Sequence, residues 1–131
     1  MIISIILLII FFSGYYYFFN IFETIISVNP QNLYADTHST VTIEVIPINA
    51  LGWKVPLRHV STEFKFKEGQ RLIEIIYENK KDGVLKLRAK NLTGTVVIYV
   101  KSIYSLLPSL VEIHIYPNLA MNNIFDNQLL N

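Results

Sequence analysis

Hydrophobic and polar positions divide the chain into two regions with different patterns. Residues 1–22 form one apolar run without a charged side chain, and Glu23 is the first charged residue. From Glu23 to Pro117, short β-branched or aromatic runs alternate with Asn, Gly and Pro turn signals. This second region has no convincing helical period, and its runs recur about every 8–12 residues, which is typical of a β-sandwich or barrel. We therefore expect one apolar helix followed by an all-β domain.

Strict alternation of apolar and polar residues marks the strands. In residues 40–48, Val41, Ile43 and Val45 alternate with threonine and glutamate, so one face is buried and the other is wet. Residues 79–83 end in Asp-Gly, a strong hairpin signal. The pattern predicts seven or eight strands in one antiparallel sandwich. The predicted strands are 24–29 (continued by 33–35 after a kink), 40–48, 53–58, 63–67, 71–78, 84–90, 95–101 and 110–116.

The same alternation predicts which side chains of the later strands face the core. Phe64 and Phe66 are expected to point inward, with Lys65 and Lys67 outward. The other inward residues are predicted to be Leu85, Leu87, Ala89, Val96, Ile98, Val100, Val111, Ile113 and Ile115.

The N-terminal run is long enough to cross a membrane. As a helix, residues 2–22 extend about 31 Å at about 1.5 Å per residue, close to the thickness of the hydrocarbon core of a bilayer. Tyr15, Tyr16 and Tyr17 suit the headgroup boundary. The residues that we single out in this membrane segment are Ile2, Leu7, Phe12, Tyr15 and Phe19.

The flanks of this run bear on whether it is a retained anchor or a cleaved signal. A secretory signal has a basic n-region and a small-x-small cleavage site, and neither is present around Ser13-Gly14. The sequence favours retention, and cleavage with secretion is the alternative. The expected organisation is a transmembrane or signal-anchor helix (1–22), a sandwich (23–117) and a polar tail (118–131) with a short helix near 121–130.

Composition narrows the classes of function. The 11 Lys and Arg nearly balance the 10 Asp and Glu, and a net charge of +1 does not support nucleic-acid binding through counterion release. A hydrophobic content of 52%, with eight Phe and eight Tyr, argues against intrinsic disorder. Cysteine is absent, which excludes disulfides, Cys-ligated zinc, a thiol nucleophile and lipid attachment to an N-terminal cysteine.

The turns between the predicted strands carry short motifs. These are Ala35-Asp36, Ser39-Thr40-Val41-Thr42-Ile43, Asn49-Ala50-Leu51-Gly52-Trp53-Lys54-Val55-Pro56, Phe64, Asp82-Gly83-Val84-Leu85 and Leu92-Thr93-Gly94. In these motifs, residues 27–117 resemble a bacterial immunoglobulin-like domain of the invasin and intimin (Big-1) kind. The chain departs from that pattern at Thr37 (glycine in the family), at Asn49 (aspartate) and at Val55-Pro56 (Pro-Val). The resemblance implies a non-catalytic surface or periplasmic module, used as a spacer or adhesive unit.

Two groups of side chains are candidates for ligand contact. The outward cations would form a basic stripe for anionic glycans or lipid headgroups if their strands are neighbours, or else they keep the sheet soluble. Trp53 is either a sugar-stacking platform or a tryptophan that fills the core or plugs the loop end. The candidate contact residues are Trp53, Lys65, Lys67, Lys86, Arg88 and Lys90.

Side chains typical of catalysis or metal binding are sparse. His38, His59 and His114 lack a second ligand at metal-binding spacing, and the outward face shared by Glu112, His114 and Tyr116 is expected to be solvated. No activated serine or phosphate-binding glycine loop is evident. We therefore expect no enzyme activity, cofactor, metal or small-molecule substrate.

Together with the apolar helix, the family resemblance implies a membrane-anchored, extracytoplasmic immunoglobulin-like module, periplasmic or on the cell surface. Such a module acts in structural support, adhesion or protein–protein interaction at the cell envelope, with the membrane and another envelope protein or a surface glycan as partners. The alternative is a carbohydrate- or envelope-polymer-binding domain that uses a basic sheet face and Trp53.

Overall fold

One apolar helix and eight strands make up the described part of the chain. The computed structural model describes residues 1–119, and the helix predicted at 121–130 lies outside them. The elements are α1 (Ile2–Phe19), β1 (Glu23–Asn29), β2 (Asn32–Tyr34), β3 (Thr40–Ile48), β4 (Thr62–Glu68), β5 (Ile73–Asn79), β6 (Val84–Ala89), β7 (Gly94–Ser102) and β8 (Ser109–Tyr116). The predicted all-β architecture behind an N-terminal helix is confirmed.

The strands form two four-stranded sheets that face each other. Sheet 1 has the order β1-β3-β6-β5, and sheet 2 has the order β2-β8-β7-β4. All neighbouring pairs are antiparallel except β2 and β8, which are parallel. In immunoglobulin nomenclature, sheet 1 is A-B-E-D and sheet 2 contains C-F-G, which is the strand order of that fold. The predicted immunoglobulin-like sandwich is therefore confirmed.

The core lies between the sheets and contains every residue that alternation assigned to the inner faces, together with Leu33, Ala35, Val60, Leu72 and Ile73. Val41, Leu87 and Ile113 are completely buried, and Phe64 and Phe66 pack against the core from β4. Lys65 and Lys67 point away from it. The side-chain period of two thus places every second residue of these strands in a shared interior.

The N-terminal strand region divides between the two sheets. β1 pairs with β3 in sheet 1, whereas β2 runs beside β8 in sheet 2. Pro30 interrupts the ladder between them because it has no N–H to donate. The segment predicted as a continuation at 33–35 is thus a separate strand, which anchors the buried Leu33 in the opposite sheet.

Two strand predictions need correction. Residues 53–58 form a loop with one isolated bridge, because Pro56 lacks a donor and Leu57 has a positive φ of 57°. This loop is still fixed to the core by Val55, which is fully buried and donates its N–H to the Pro47 carbonyl. The strand predicted at 71–78 begins at Ile73, because Gln70–Leu72 form a 3-10 turn.

Asp36 holds the turn between β2 and β3. Its Oδ1 accepts hydrogen bonds from the backbone N–H groups of His38 (2.8 Å) and Ser39 (2.6 Å), and its Oδ2 accepts one from the Ser39 hydroxyl (2.7 Å). The bonds from Ser39 are the main reason why the pKa of the Asp36 carboxyl is lowered from its ordinary value. The charged carboxylate is therefore the form that the folded turn favours.

This turn is expected to make stability fall in acid. Since the pKa of Asp36 is lower in the folded state, its contribution is complete above the unfolded pKa of about 3.9 and is lost as pH falls through the folded value. We expect Asp36→Ala to reduce the free energy of unfolding by about 1 kcal/mol at neutral pH, and by less in strong acid. Denaturant titrations of the full chain in detergent at both pH values measure this. A cost that is the same at both pH values would contradict the assignment.

Candidate functional site

The helix α1 makes little use of the sandwich for burial. None of its residues is buried, and its mean hydropathy of 2.2 over 18 residues meets the length and composition requirements for crossing a membrane. At about 1.5 Å per residue, it extends about 27 Å. Ile2, Leu7, Phe12 and Tyr15 are exposed, and Phe19 is partly shielded by stacking on Tyr15 with ring centroids 4.6 Å apart.

The helix is shorter than the apolar run that predicts it. It ends at Phe19, and Asn20 has an extended conformation. Ile21 packs against the sandwich core, and the Phe22 N–H donates to the Ile48 carbonyl at 2.9 Å. The chain therefore joins the sandwich within the apolar run, through the side chain of Ile21 and the backbone N–H of Phe22.

A buried asparagine ties the helix to the sandwich. Asn49 is 1% exposed, and its Nδ2 donates to the Phe18 carbonyl at 3.2 Å. Its Oδ1 accepts the backbone N–H groups of Leu51 and Trp53, both at 3.0 Å. The side chain thus supplies a donor to a carbonyl in the last helical turn and organises the following loop. Sequence reasoning identified Asn49 only as a turn residue, because nothing in the pattern showed what its amide would face.

Trp53 lies on the loop beside the helix. Its ring packs edge-on against Phe18, with centroids 5.4 Å apart, and the residue is 57% exposed. The interpretation of Trp53 as a core tryptophan is wrong, because the Asn49 turn directs it toward the helix rather than between the sheets. The exposed ring of Trp53 stays a candidate for ligand contact.

Three loops surround the point where the helix joins, and we call this the helix end of the sandwich. The β3–β4 loop (49–61) begins directly after Ile48, which pairs with Glu23 at the start of β1. The β5–β6 loop (80–83) lies beside the start of β4, because the Thr62 N–H donates to the Lys80 carbonyl at 2.8 Å. The β7–β8 loop (103–108) begins after Ser102, whose hydroxyl lies 3.2 Å from that of Thr24. The β2–β3, β4–β5 and β6–β7 loops lie at the opposite end, which we call the far end.

The candidate basic residues do not lie on one surface. Lys65 and Lys67 are on the outer face of β4 in sheet 2, whereas Lys86 and Arg88 are on β6 in sheet 1, and Lys90 follows β6 at the far end. The condition for a single basic stripe, neighbouring strands, is therefore not met. These side chains stay candidates for ligand contact individually.

Two of the candidate cations have local partners instead. Arg88 lies 3.8 Å from the Glu74 carboxylate, which is on the neighbouring strand. The Lys67 ammonium lies 5.6 Å from the centre of the Tyr99 ring. Exposed contacts of this kind contribute little to stability, and they keep the two sheet faces polar.

The three histidines are far apart in the fold. His38 is in the β2–β3 turn at the far end, His59 is in the 49–61 loop at the helix end, and His114 is on the outer face of β8. His114 has the Thr95 hydroxyl 3.2 Å from its Nδ1. Within residues 1–119, no three His, Cys, Asp or Glu side chains are grouped as a metal site would require.

Comparison with known proteins gives information on the fold. No protein-family model matches the chain, and no curated protein sequence matches it. Among solved structures, a glycosyl hydrolase family 2 member from Bacteroides cellulosilyticus aligns over 73% of the chain with a TM-score of 0.54 and 15% identity. The chain spans 14% of that hydrolase, so the match describes one of its domains. At this identity the likeness shows the fold alone.

Two further matches come from the group that the turn motifs resemble. The adhesin InvE of Yersinia pseudotuberculosis aligns over 72% of the chain and 26% of its own length, with 17% identity and a TM-score of 0.44. The D00–D0 region of intimin aligns over 72% of the chain and 44% of its own length, with 13% identity and a TM-score of 0.44. The immunoglobulin-like fold that the resemblance implies is confirmed by the strand order described above.

Proposed function

We propose that this protein is a non-catalytic immunoglobulin-like module, anchored in a membrane by α1, that displays its sandwich outside the cytoplasm. There it serves structural support, adhesion or protein–protein interaction at the cell envelope. The observation that carries the proposal is the state of α1, an 18-residue apolar helix with no buried residue. Leaving so many Ile, Leu and Phe side chains in water is unfavourable, by about 1.5–3 kcal/mol for each side chain that a bilayer would bury.

The junction supports retention of the helix in the working protein. Asn49 and Phe22 connect the helix end to β3 and its loop through hydrogen bonds. Removal of the helix would take away the Phe18 carbonyl to which the Asn49 amide donates. A segment that is to be removed has no need for such a contact.

An edge strand supports the interaction role. β5 is the outer strand of sheet 1, and its Ile75, Ile76 and Tyr77 are exposed beside an irregularity in the register. Unpaired backbone groups on an edge strand can accept an extended segment of another protein. Such recognition uses the sandwich as a scaffold and requires no catalytic group.

Fractionation of the full chain tests the proposal. Expressed in a Gram-negative host, the protein is expected to sediment with membranes, to resist alkaline carbonate extraction and to dissolve in detergent. Its intact mass is expected to include α1, and protease added to spheroplasts should digest the sandwich while a cytoplasmic marker survives. A full-length protein found in the soluble cytoplasmic fraction, or a mass that lacks α1, would contradict the anchored module.

A further inference from the structure

The loops at the helix end present large apolar side chains to solvent. Leu57, in the 49–61 loop, is 97% exposed, and Leu106, in the 103–108 loop, is 96% exposed. Neither side chain packs in the core, so core packing does not explain why these two positions are apolar. The exposed apolar residues of these two loops, beside Trp53, are Leu51, Leu57, Ile103, Tyr104, Leu106 and Leu107.

The far end of the same sandwich has a different surface. Its loops, 35–39, 69–72 and 90–93, expose a single large hydrophobic side chain, that of Leu92, which is 46% exposed. The loops at the end where α1 joins therefore expose more large apolar side chains than the loops at the far end.

The helix-end loops also carry positive charge. They contain Lys54, Arg58, Lys80 and Lys81 against one acidic residue, Asp82. The Lys54 ammonium lies 3.8 Å from the Glu44 carboxylate. Apolar tips flanked by lysine and arginine are the combination that binds at an anionic lipid surface. Arg58 lines a hollow of about 130 Å³ together with residues of the last helical turns, so positive charge lies directly beside the helix.

The connection to α1 fixes how far these loops are from the membrane. Only Asn20, Ile21 and Phe22 separate the end of α1 from β1, and three extended residues span about 10 Å. The hydrogen bonds of Asn49 and Phe22 shorten this separation further. If α1 crosses a bilayer, the loops are held close to the headgroup layer, which is about 5–7 Å thick on each side.

We propose that the 49–61 and 103–108 loops form a second membrane contact, which seats the sandwich directly on the bilayer that α1 crosses. This inference rests on the proposed anchoring. Leu57, Leu106 and Leu107 enter the boundary between headgroups and acyl chains, and Arg58, Lys80 and Lys81 contact anionic headgroups. The lipid surface is the occupant because these loops adjoin the anchor, and because they combine more exposed apolar side chains with more cations than the far-end loops, which hold Arg71 and Lys90 against Asp36.

The absence of cysteine makes a site-specific test direct. Leu106→Cys and Leu57→Cys place a fluorophore in each loop, and Leu92→Cys is the matched control at the far end. The full chain is reconstituted in vesicles of phosphatidylcholine with about one third phosphatidylglycerol and with nitroxide-labelled lipids as quenchers. We expect quenching at positions 106 and 57 to exceed that at position 92 by at least about twofold.

Each outcome of this experiment decides one part of the proposed membrane contact. Equal quenching at all three positions would overturn the second contact. Labels at 106 and 57 that are shielded from aqueous iodide but not quenched by the labelled lipids would also overturn it, because the loops would then be covered by protein. Vesicles without phosphatidylglycerol should give weaker quenching, and an unchanged value would overturn the role of the basic residues. Carbonate extraction of the same vesicles reports on α1 separately. A chain that resists extraction without quenching refutes only the second contact, whereas an extracted chain refutes the anchor itself.

Discussion

Leu87→Ala is expected to lower the free energy of unfolding by about 2–5 kcal/mol. Leu87 has no exposed surface and lies on β6, between Val41 on β3 and Ile75 on β5. Truncation removes apolar contacts and leaves a cavity that the surrounding strands close only in part. Since a domain of this size is stable by about 5–15 kcal/mol, the variant loses a large share of its stability. Chemical denaturation of the full chain in detergent, followed by far-UV circular dichroism, measures the change.

Leu92→Ala is the matched control for this experiment. Leu92 lies in a far-end loop and retains about half of its surface in the folded protein, so its truncation should cost less than about 1 kcal/mol. An equal loss of stability in the two variants would mean that the inner face of β6 is not the centre of the core.

Gly69→Ala is expected to be the second severe substitution. Gly69 has a φ of +76°, which costs an alanine about 1–2 kcal/mol. An added Cβ would also lie 2.5 Å from the Thr95 carbonyl oxygen and 2.9 Å from the Val96 Cα, and both are backbone atoms of β7. Forcing these apart adds about 1–3 kcal/mol of packing strain. The same denaturation experiment should show a midpoint well below that of the wild type.

Gly52→Ala separates the two causes. Gly52 has a similar φ of +81°, but no atom lies within 4 Å of the Cβ that alanine would add. This variant is expected to lose only the conformational part, about 1–2 kcal/mol. If Gly69→Ala were no worse than Gly52→Ala, the close approach of the β4–β5 turn to β7 would be refuted.

Most of the sandwich follows from local information. Residues 40–48 were predicted as a strand and form β3 with the same bounds, because one face of alternating Val and Ile must be buried and the other is polar. The Asp82-Gly83 turn likewise joins β5 to β6, with Gly83 in the positive-φ conformation that such turns require. In these cases the pattern of neighbouring residues and the final packing favour the same structure.

The errors arise where a distant contact outweighs the local pattern. Residues 53–58 contain strand-forming side chains, but Pro56 and the turn around Asn49 leave no ladder for them to join. Trp53 lies against Phe18, more than thirty residues earlier, because the last turn of α1 is on that side of the loop. The apolar run to Phe22 exceeds the helix since β3 offers partners to its last residues. Composition cannot foresee such partners.

The candidate contact surface shows the same limit. Alternation correctly predicted that Lys65, Lys67, Lys86 and Arg88 point outward. Whether they form one surface depends on the strand order, which assigns β4 and β6 to opposite sheets. The exposed leucines of the 103–108 loop were also not singled out, because only the topology brings that loop beside α1.

The direction of β8 has a consequence for the point at which the described chain leaves the sandwich. β8 starts at the helix end with Ser109 and finishes at the far end with Tyr116. Eight extended residues rise about 26 Å. The described chain therefore enters the sandwich at the helix end and leaves it at the far end. If α1 anchors the protein as proposed, a reporter domain fused behind Leu119 would stand about one strand length farther from the lipid than the loops that adjoin the helix.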